Sequence, residues 1–173
     1  VTTPAAPHVP VRYADIAVGD TLPDLVIPLT RTLIVATAIA SRDYQDVHHD
    51  PELARERGSK DVFMNILTTN GLVSRFVTDW AGPAASVARI KVRLGAPNYP
   101  GDEMRMTGEV TEVSDDRVEV AVRGDNSLGP HVTGTVALRF PTGGGPVGDG
   151  RSDHGASGAG VTGDAASGEK VRS

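Results

Sequence analysis

The chain has 173 residues, a formal net charge of -5, 39% hydrophobic and 23% charged residues, which is the profile of one ordinary globular domain. The acidic balance excludes a phosphate backbone as the main partner, since such binding needs clustered excess Lys and Arg. No apolar run is long enough to cross a bilayer, and zero cysteines exclude disulfides, thiolate metal sites and thiol nucleophiles.

In chain order, residues 1–21 are rich in Pro and Ala and read as an extended N-terminal arm. They lack the basic-then-apolar pattern of a signal peptide, so a cytoplasmic chain with neither nucleic acid nor membrane as partner is expected. Aromatics make up only 4%, so the core of the folded part, residues 22–141, must be built from Val, Ile, Leu, Ala and Met. "TLIVATAIA", Thr32 to Ala40, is apolar on both faces, as in a strand covered on both sides or a buried helix piece; its β-branched content favours strand. Asp50 and Pro51 then read as an N-cap followed by proline at the first helical position. Gly58 reads as the stop, so "PELARER" is a short helix.

"NILTTNGLVSRFVTDW" repeats Ile66, Val73, Val77 and Trp80 at helical spacing, with Leu72 and Phe76 beside them. It is apolar round much of its circumference, as a central helix wrapped by a sheet must be. Four strands follow: "SVARIKVRL", "MRMTGEVTEV", "RVEVAVR" and "HVTGTVALRF". Their period-two alternation leaves one face packed and one in solvent. "NYPGD", "SDD" and "NSLGP" supply the turns. Residues 142–173 hold about half of the 20 glycines and almost no large apolar residue, so this Gly-rich tail is expected to be disordered. A long helix that buries apolar surface nearly all round is best served by a curved antiparallel sheet wrapped about it. The expected architecture is therefore the hot-dog fold, of the α+β class.

One stretch is too rich in titratable groups for a simple turn. "RDYQDVHHDPELA" puts Asp43 and His48 at the two ends of a short loop. On spacing alone, such a pair fits a solvated turn as well as an acid–base couple. His49 and Asp50 supply no third ligand cluster with His48, so no metal site is expected; Asp50 is better read as a helix cap. Arg89, Lys91 and Arg93 read as a solvated strand face, and His131 has no functional context.

"RDYQDVHHDPELA" resembles the hydratase motif of the MaoC-like (R)-specific enoyl-CoA hydratases, and "NYPGDEMRMTGEVTEV" resembles a strand entry of the same family. More narrowly, "RDYQDVHHD", "GSKDVFMNILTTNGLVSRFVTDWAGP" and "RLGAPNYPGD" resemble the small MaoC-like subunits of actinobacterial steroid side-chain enoyl-CoA hydratases. Gln45 and Asp46 depart from the usual Asn and Pro of the motif, and Met64-Asn65 replaces the usual His-Gly.

The resemblance implies hydration of a 2-enoyl-CoA, with coenzyme A as part of the substrate and no separate cofactor. Asp43 and His48 are the implied acid–base pair, and which is acid and which is base stays open. The N–H of Asn65, at the start of the central helix, is the implied donor to the thioester carbonyl. The implied partner is a second MaoC-like chain in a hetero-oligomer, with a homodimer as the alternative. Two other readings are an acyl-CoA thioesterase on the same fold and a non-catalytic stabilising subunit. A thioesterase would need a well-placed carboxylate on the central helix, where only Asp61, just before it, and Asp79, at its far end, are available.

Overall fold

The computed structural model describes residues 11–141. Residues 1–10 of the arm and the whole Gly-rich tail lie outside the described residues. Residues 11–21 run beside the sheet: Gly19 N–H donates to Val110 O, Val110 N–H to Asp20 O, and Thr21 bridges to Glu109.

Strand β1 (Leu25–Leu29) leads into helix α1 (Arg31–Ala40). A short turn of 3-10 helix (Asp46–His48) and helix α2 (Pro51–Glu56) follow, and then the long helix α3 (Ile66–Ala81). Four strands complete the domain: β2 (Ser86–Leu94), β3 (Asp102–Ser114), β4 (Arg117–Asn126) and β5 (Gly129–Arg139). All pairings are antiparallel and the sheet order is β1-β3-β4-β5-β2. The inward rows of the long strands, Met104, Met106 and Val110, then Val118, Val120 and Val122, then Val132, Val136 and Leu138, are at most 3% exposed. They share one core with Val73, Phe76, Val77 and Trp80 of α3. This is the hot-dog arrangement. Each fully buried aliphatic side chain contributes about 1.5–3 kcal/mol relative to exposure, before the entropy of ordering is subtracted.

The four alternating segments are strands, with their hairpins where the turn residues lie. Asp115, at a φ of 51°, and Asp116 join β3 to β4; Ser127 and Leu128 join β4 to β5. At Gly108 the sheet leaves no room for a side chain against the central helix, since a Cβ would meet Phe76 Cε1 at 2.9 Å. The short helix is α2, with Asp50 Oδ1 accepting from the N–H of Glu52 and Leu53 and Gly58 at a φ of 86° after its end.

Three local readings need correction. Thr32 to Ala40 is helix α1, not a strand. Thr30 caps it by accepting from Leu33 N–H, and only Ile34 and Ala38, one helical turn apart, are buried on it. Ile66 is not part of the buried stripe of α3; it is 51% exposed in the first turn, where Thr68 and Thr69 are buried instead. The sheet also has a fifth strand, β1, that alternation did not reveal. It is five residues long, contains Pro28 and lies at the sheet edge, where proline is tolerated.

Candidate active site

The site begins with how α1 ends. Ser41 is its C-cap, Arg42 takes the left-handed conformation with φ at 58°, and the chain reverses. Arg42 N–H donates to Ile39 O and Asp43 N–H donates to Ala38 O, at 3.0 and 2.9 Å. This double bond pattern is a Schellman motif. It fixes the Asp43 backbone against the helix before its side chain makes any contact.

Five residues later, the 3-10 turn carries His48 inward to 6% exposure. The turn is tied down by Asp46, whose Oδ1 accepts from Val47 N–H and whose Oδ2 meets Arg57 Nη2 at 2.6 Å. Val47 O accepts from Phe63 N–H, and His48 Nδ1 lies 2.7 Å from Phe63 O. A carbonyl oxygen only accepts, so Nδ1 carries the hydrogen and Nε2 of the neutral ring is the bare nitrogen. The Phe63 ring packs edge-on against the imidazole at 4.9 Å. His48 Nε2 then faces Asp43 Oδ2 at 3.5 Å, with their side chains 8% and 16% exposed. This gap is longer than a direct hydrogen bond, so a water beside the two groups has an acceptor on either hand.

Asn65 closes the group. It is the N-cap of α3, with Oδ1 accepting from Thr68 N–H at 2.9 Å. Its Nδ2 donates to Asp43 Oδ2 at 3.1 Å and to Ser41 Oγ at 2.9 Å. Among the described residues, nothing accepts a hydrogen bond from the Asn65 N–H itself. The structure thus brings together all three residues singled out from the sequence, at the positive end of the longest helix. The sequence reading missed the carboxamide of Asn65, Ser41 and the Phe63 carbonyl. The signal for the first was available: Asn just before a helical run is an N-cap signature.

The remaining candidates have other occupations. His49 Nε2 approaches Tyr44 O at 3.1 Å and Asp50 caps α2. Among the described residues, no group of three or more His, Asp or Glu is placed to hold a metal ion. Asp61 receives both Nη atoms of Arg31 at 2.8 Å, and these bonds pull its carboxyl down from 3.8 to about 2. Asp79 pairs with Arg75 on the exposed side of α3. Arg89, Lys91 and Arg93 are exposed, with Arg89 meeting Glu119. His131 is buried and structural: Thr69 Oγ1 lies 2.9 Å from its Nε2 and Ala96 O 2.7 Å from its Nδ1, and burial lowers its pKa. Thr68 Oγ1 and Asn70 Oδ1, also on α3, are buried without a partner among the described residues.

Apolar side chains next to the site are exposed rather than packed. Ile39, Tyr44, Ile66 and Leu67, each within four residues of Asp43 or Asn65, are 49–66% exposed. An open concavity of about 780 Å³ lies elsewhere, lined by charged strand residues such as Arg89, Asp116, Glu119 and Arg139, and none of the three site residues borders it. No helix among the described residues is long and apolar enough to cross a membrane.

Comparison with known proteins gives concordant findings. The MaoC like domain family matches residues 17–129. The 3-oxo-4,17-pregnadiene-20-carboxyl-CoA hydratase beta subunit of Mycobacterium tuberculosis is 54% identical over 121 residues, spanning 70% of this chain and 94% of that protein. Among solved structures, a chain of the ChsH1-ChsH2 complex from Mycobacterium tuberculosis superposes with a TM-score of 0.71 at 53% identity, over 72% of this chain and 98% of that one. The R-hydratase PhaJ1 from Pseudomonas aeruginosa superposes with a TM-score of 0.68 at 25% identity, over 75% and 84%.

Proposed function

The chain belongs to the MaoC-like domain family, and from that premise we propose that it is an enoyl-CoA hydratase subunit acting on a steroid side-chain thioester. The observation that carries the reading is the Asp43–His48 pair, 3.5 Å apart at the N-terminus of α3, with the tautomer of His48 set by Phe63 O. The likeness to a relative whose name specifies a pregnadiene carboxyl-CoA substrate supports the acyl class.

Hydration of a 2-enoyl thioester adds hydroxide to C3 and a proton to C2, so one water is consumed and nothing leaves. A water between His48 Nε2 and the Asp43 carboxylate gives up a proton as its oxygen attacks C3. The pair then holds that proton and returns one to C2 on the same face. Negative charge that develops on the thioester oxygen needs donors, which the free N–H of Asn65 and the first turn of α3 supply. Coenzyme A enters and leaves as part of the substrate, and the reading requires no separate cofactor. It places the chain in the cytoplasm, where coenzyme A thioesters are made and used.

A second MaoC-like chain completes the assembly in this reading. The exposed apolar residues beside the site are a surface that an acyl group or a partner chain would cover. The thioesterase reading finds no support in the carboxylates near α3, since Asp61 is held by Arg31 and Asp79 by Arg75.

The test is co-purification with the neighbouring gene products, followed by hydration assays with short-chain and steroid enoyl thioesters. Asp43→Asn and His48→Ala are each expected to lower kcat by about 100-fold or more, the usual scale for acid–base catalysis. Near-normal turnover of the complex with either variant would reassign this chain as a non-catalytic subunit. Coenzyme A release without hydration would make it a thioesterase.

A further inference from the structure

We propose that the side chain of Asn65 is the positioning residue for Asp43, because its single carboxamide caps α3 through oxygen and holds the Asp43 carboxylate through nitrogen. The proposal deepens the hydratase reading and rests on it for its kinetic consequences. It is distinct from the role of the Asn65 backbone N–H, which any residue other than proline would retain.

Every hydrogen in this chain of bonds has one direction. Asn65 is 1% exposed, and Thr68 N–H donates to its Oδ1 at 2.9 Å. Turning the amide over would set an NH2 against that N–H, two donors facing each other. Nδ2 must therefore point away from the helix, where its two hydrogens have two acceptors, Ser41 Oγ at 2.9 Å and Asp43 Oδ2 at 3.1 Å. Ser41 accepts because its own hydrogen is used on the last turn of α1, where Thr37 O lies at 2.8 Å and Ala38 O at 3.1 Å. The end of α1, the start of α3 and the Asp43 carboxylate are thereby one bonded unit.

Two consequences follow for the reaction. Oδ2 of Asp43 is held, and it is the oxygen facing His48 Nε2, so the spacing of the acid–base pair is set by Asn65. Oδ1 of Asp43 has no partner among the described residues and is not enclosed, so the fixed carboxylate keeps one oxygen open to the reaction. The Asn65 carboxamide orients the couple without touching the reacting atoms. Its loss should therefore lower kcat more than it raises KM.

The experiment uses the full chain in complex with its partner and compares Asn65→Ser and Asn65→Thr with the unaltered chain. Both replacements keep the backbone N–H and are good helix caps, so the thermal midpoint should stay close to that of the unaltered chain. Neither supplies a donor at the place of Nδ2. We expect kcat to fall about 10- to 100-fold, the worth of one hydrogen bond to a charged group, with KM within about twofold. Ser41→Ala, which removes only the second acceptor, should lose less. If Asn65→Ser keeps kcat within about twofold, or if its rate loss only tracks a fallen midpoint, the carboxamide is a helix cap and nothing more.

A second readout does not depend on hydratase activity. In the isotope-labelled chain, the carboxamide proton of Asn65 that faces Asp43 should exchange slowly and be shifted downfield, and Asp43→Ala should remove both features from that proton while the proton on Ser41 Oγ keeps its own. Unchanged carboxamide signals in Asp43→Ala would overturn the tie. An inactive unaltered complex with the expected signals would instead count against the hydratase reading and leave the tie standing.

Discussion

Arg42 adopts a φ of 58°, in the region where a side chain crowds its own carbonyl, and it directly precedes Asp43. Glycine takes that conformation without strain, so Arg42→Gly should raise unfolding stability by up to about 1 kcal/mol, less what glycine loses through its freer unfolded state. Urea denaturation of the two proteins decides the matter; a lower midpoint would mean that the arginine side chain makes a stabilising contact of its own. At this scale the site was legible where the information is local. Asp43 and His48 sit five positions apart in one loop, and their spacing could be read directly. The bonds that orient them come from Phe63 and Asn65, fifteen and twenty-two positions further on. Only a fold can join groups so separated. The N-cap signature of Asn65 was present, but its second bond, to Asp43, had no trace in the sequence.

At the level of elements, α1 shows why a uniformly apolar run misleads. Thr32, Ile34, Val35, Thr37 and Ile39 favour a strand by propensity, and with apolar residues on every side neither period stands out. The outcome is decided by contacts instead: Thr30 caps the first turn, and the hydroxyls of Thr37 and Ser41 bond carbonyls one turn back. The alternating strands were legible because a half-buried sheet writes its period into the sequence. The start of α1 is also clamped, through Arg31, to the segment that leads into α3, since Asp61 takes both guanidinium bonds and also lies 3.9 Å from Arg55. The Asp61 carboxyl is held at about 2, below its unfolded value near 3.8, so the unfolded chain binds the proton first as pH falls. The clamp therefore stabilises fully above the unfolded value and fades as the pH approaches about 2. Arg31→Met should be less stable than the unaltered chain near neutrality, and the gap should close at about pH 2. A gap that stays constant across that range, measured by urea unfolding at each pH, would show that the loss is one of packing rather than charge.

For the whole molecule, the sheet leaves two edges, β1 and β2, and an edge is an unpaired row of donors and acceptors. β1 is blunted: it is five residues long and Pro28 has no N–H to offer. β2 has nine residues and no proline, and it alternates Arg89, Lys91 and Arg93 outward with Ile90, Val92 and Leu94 inward. Those inward residues are only half-buried, whereas their counterparts on β4 and β5 are at most 3% exposed. The chain's own helix leaves the β2 end of the inner face partly uncovered, so β2 is the edge at which a second chain would extend the sheet and cover that row. Ile90→Glu tests this. In the isolated chain the carboxylate can reach water from a half-buried position, so the fold should survive with a modest loss, on the order of 1 kcal/mol. In the assembly the same charge would be enclosed without a partner, which costs several kcal/mol and should abolish co-purification with the second MaoC-like chain. Glu103 faces outward on β3, directly beside Pro28 of the β1 edge, so Glu103→Lys serves as the control and should leave the complex intact. Retention of the partner by Ile90→Glu together with its loss in Glu103→Lys would move the interface to the proline-bearing edge.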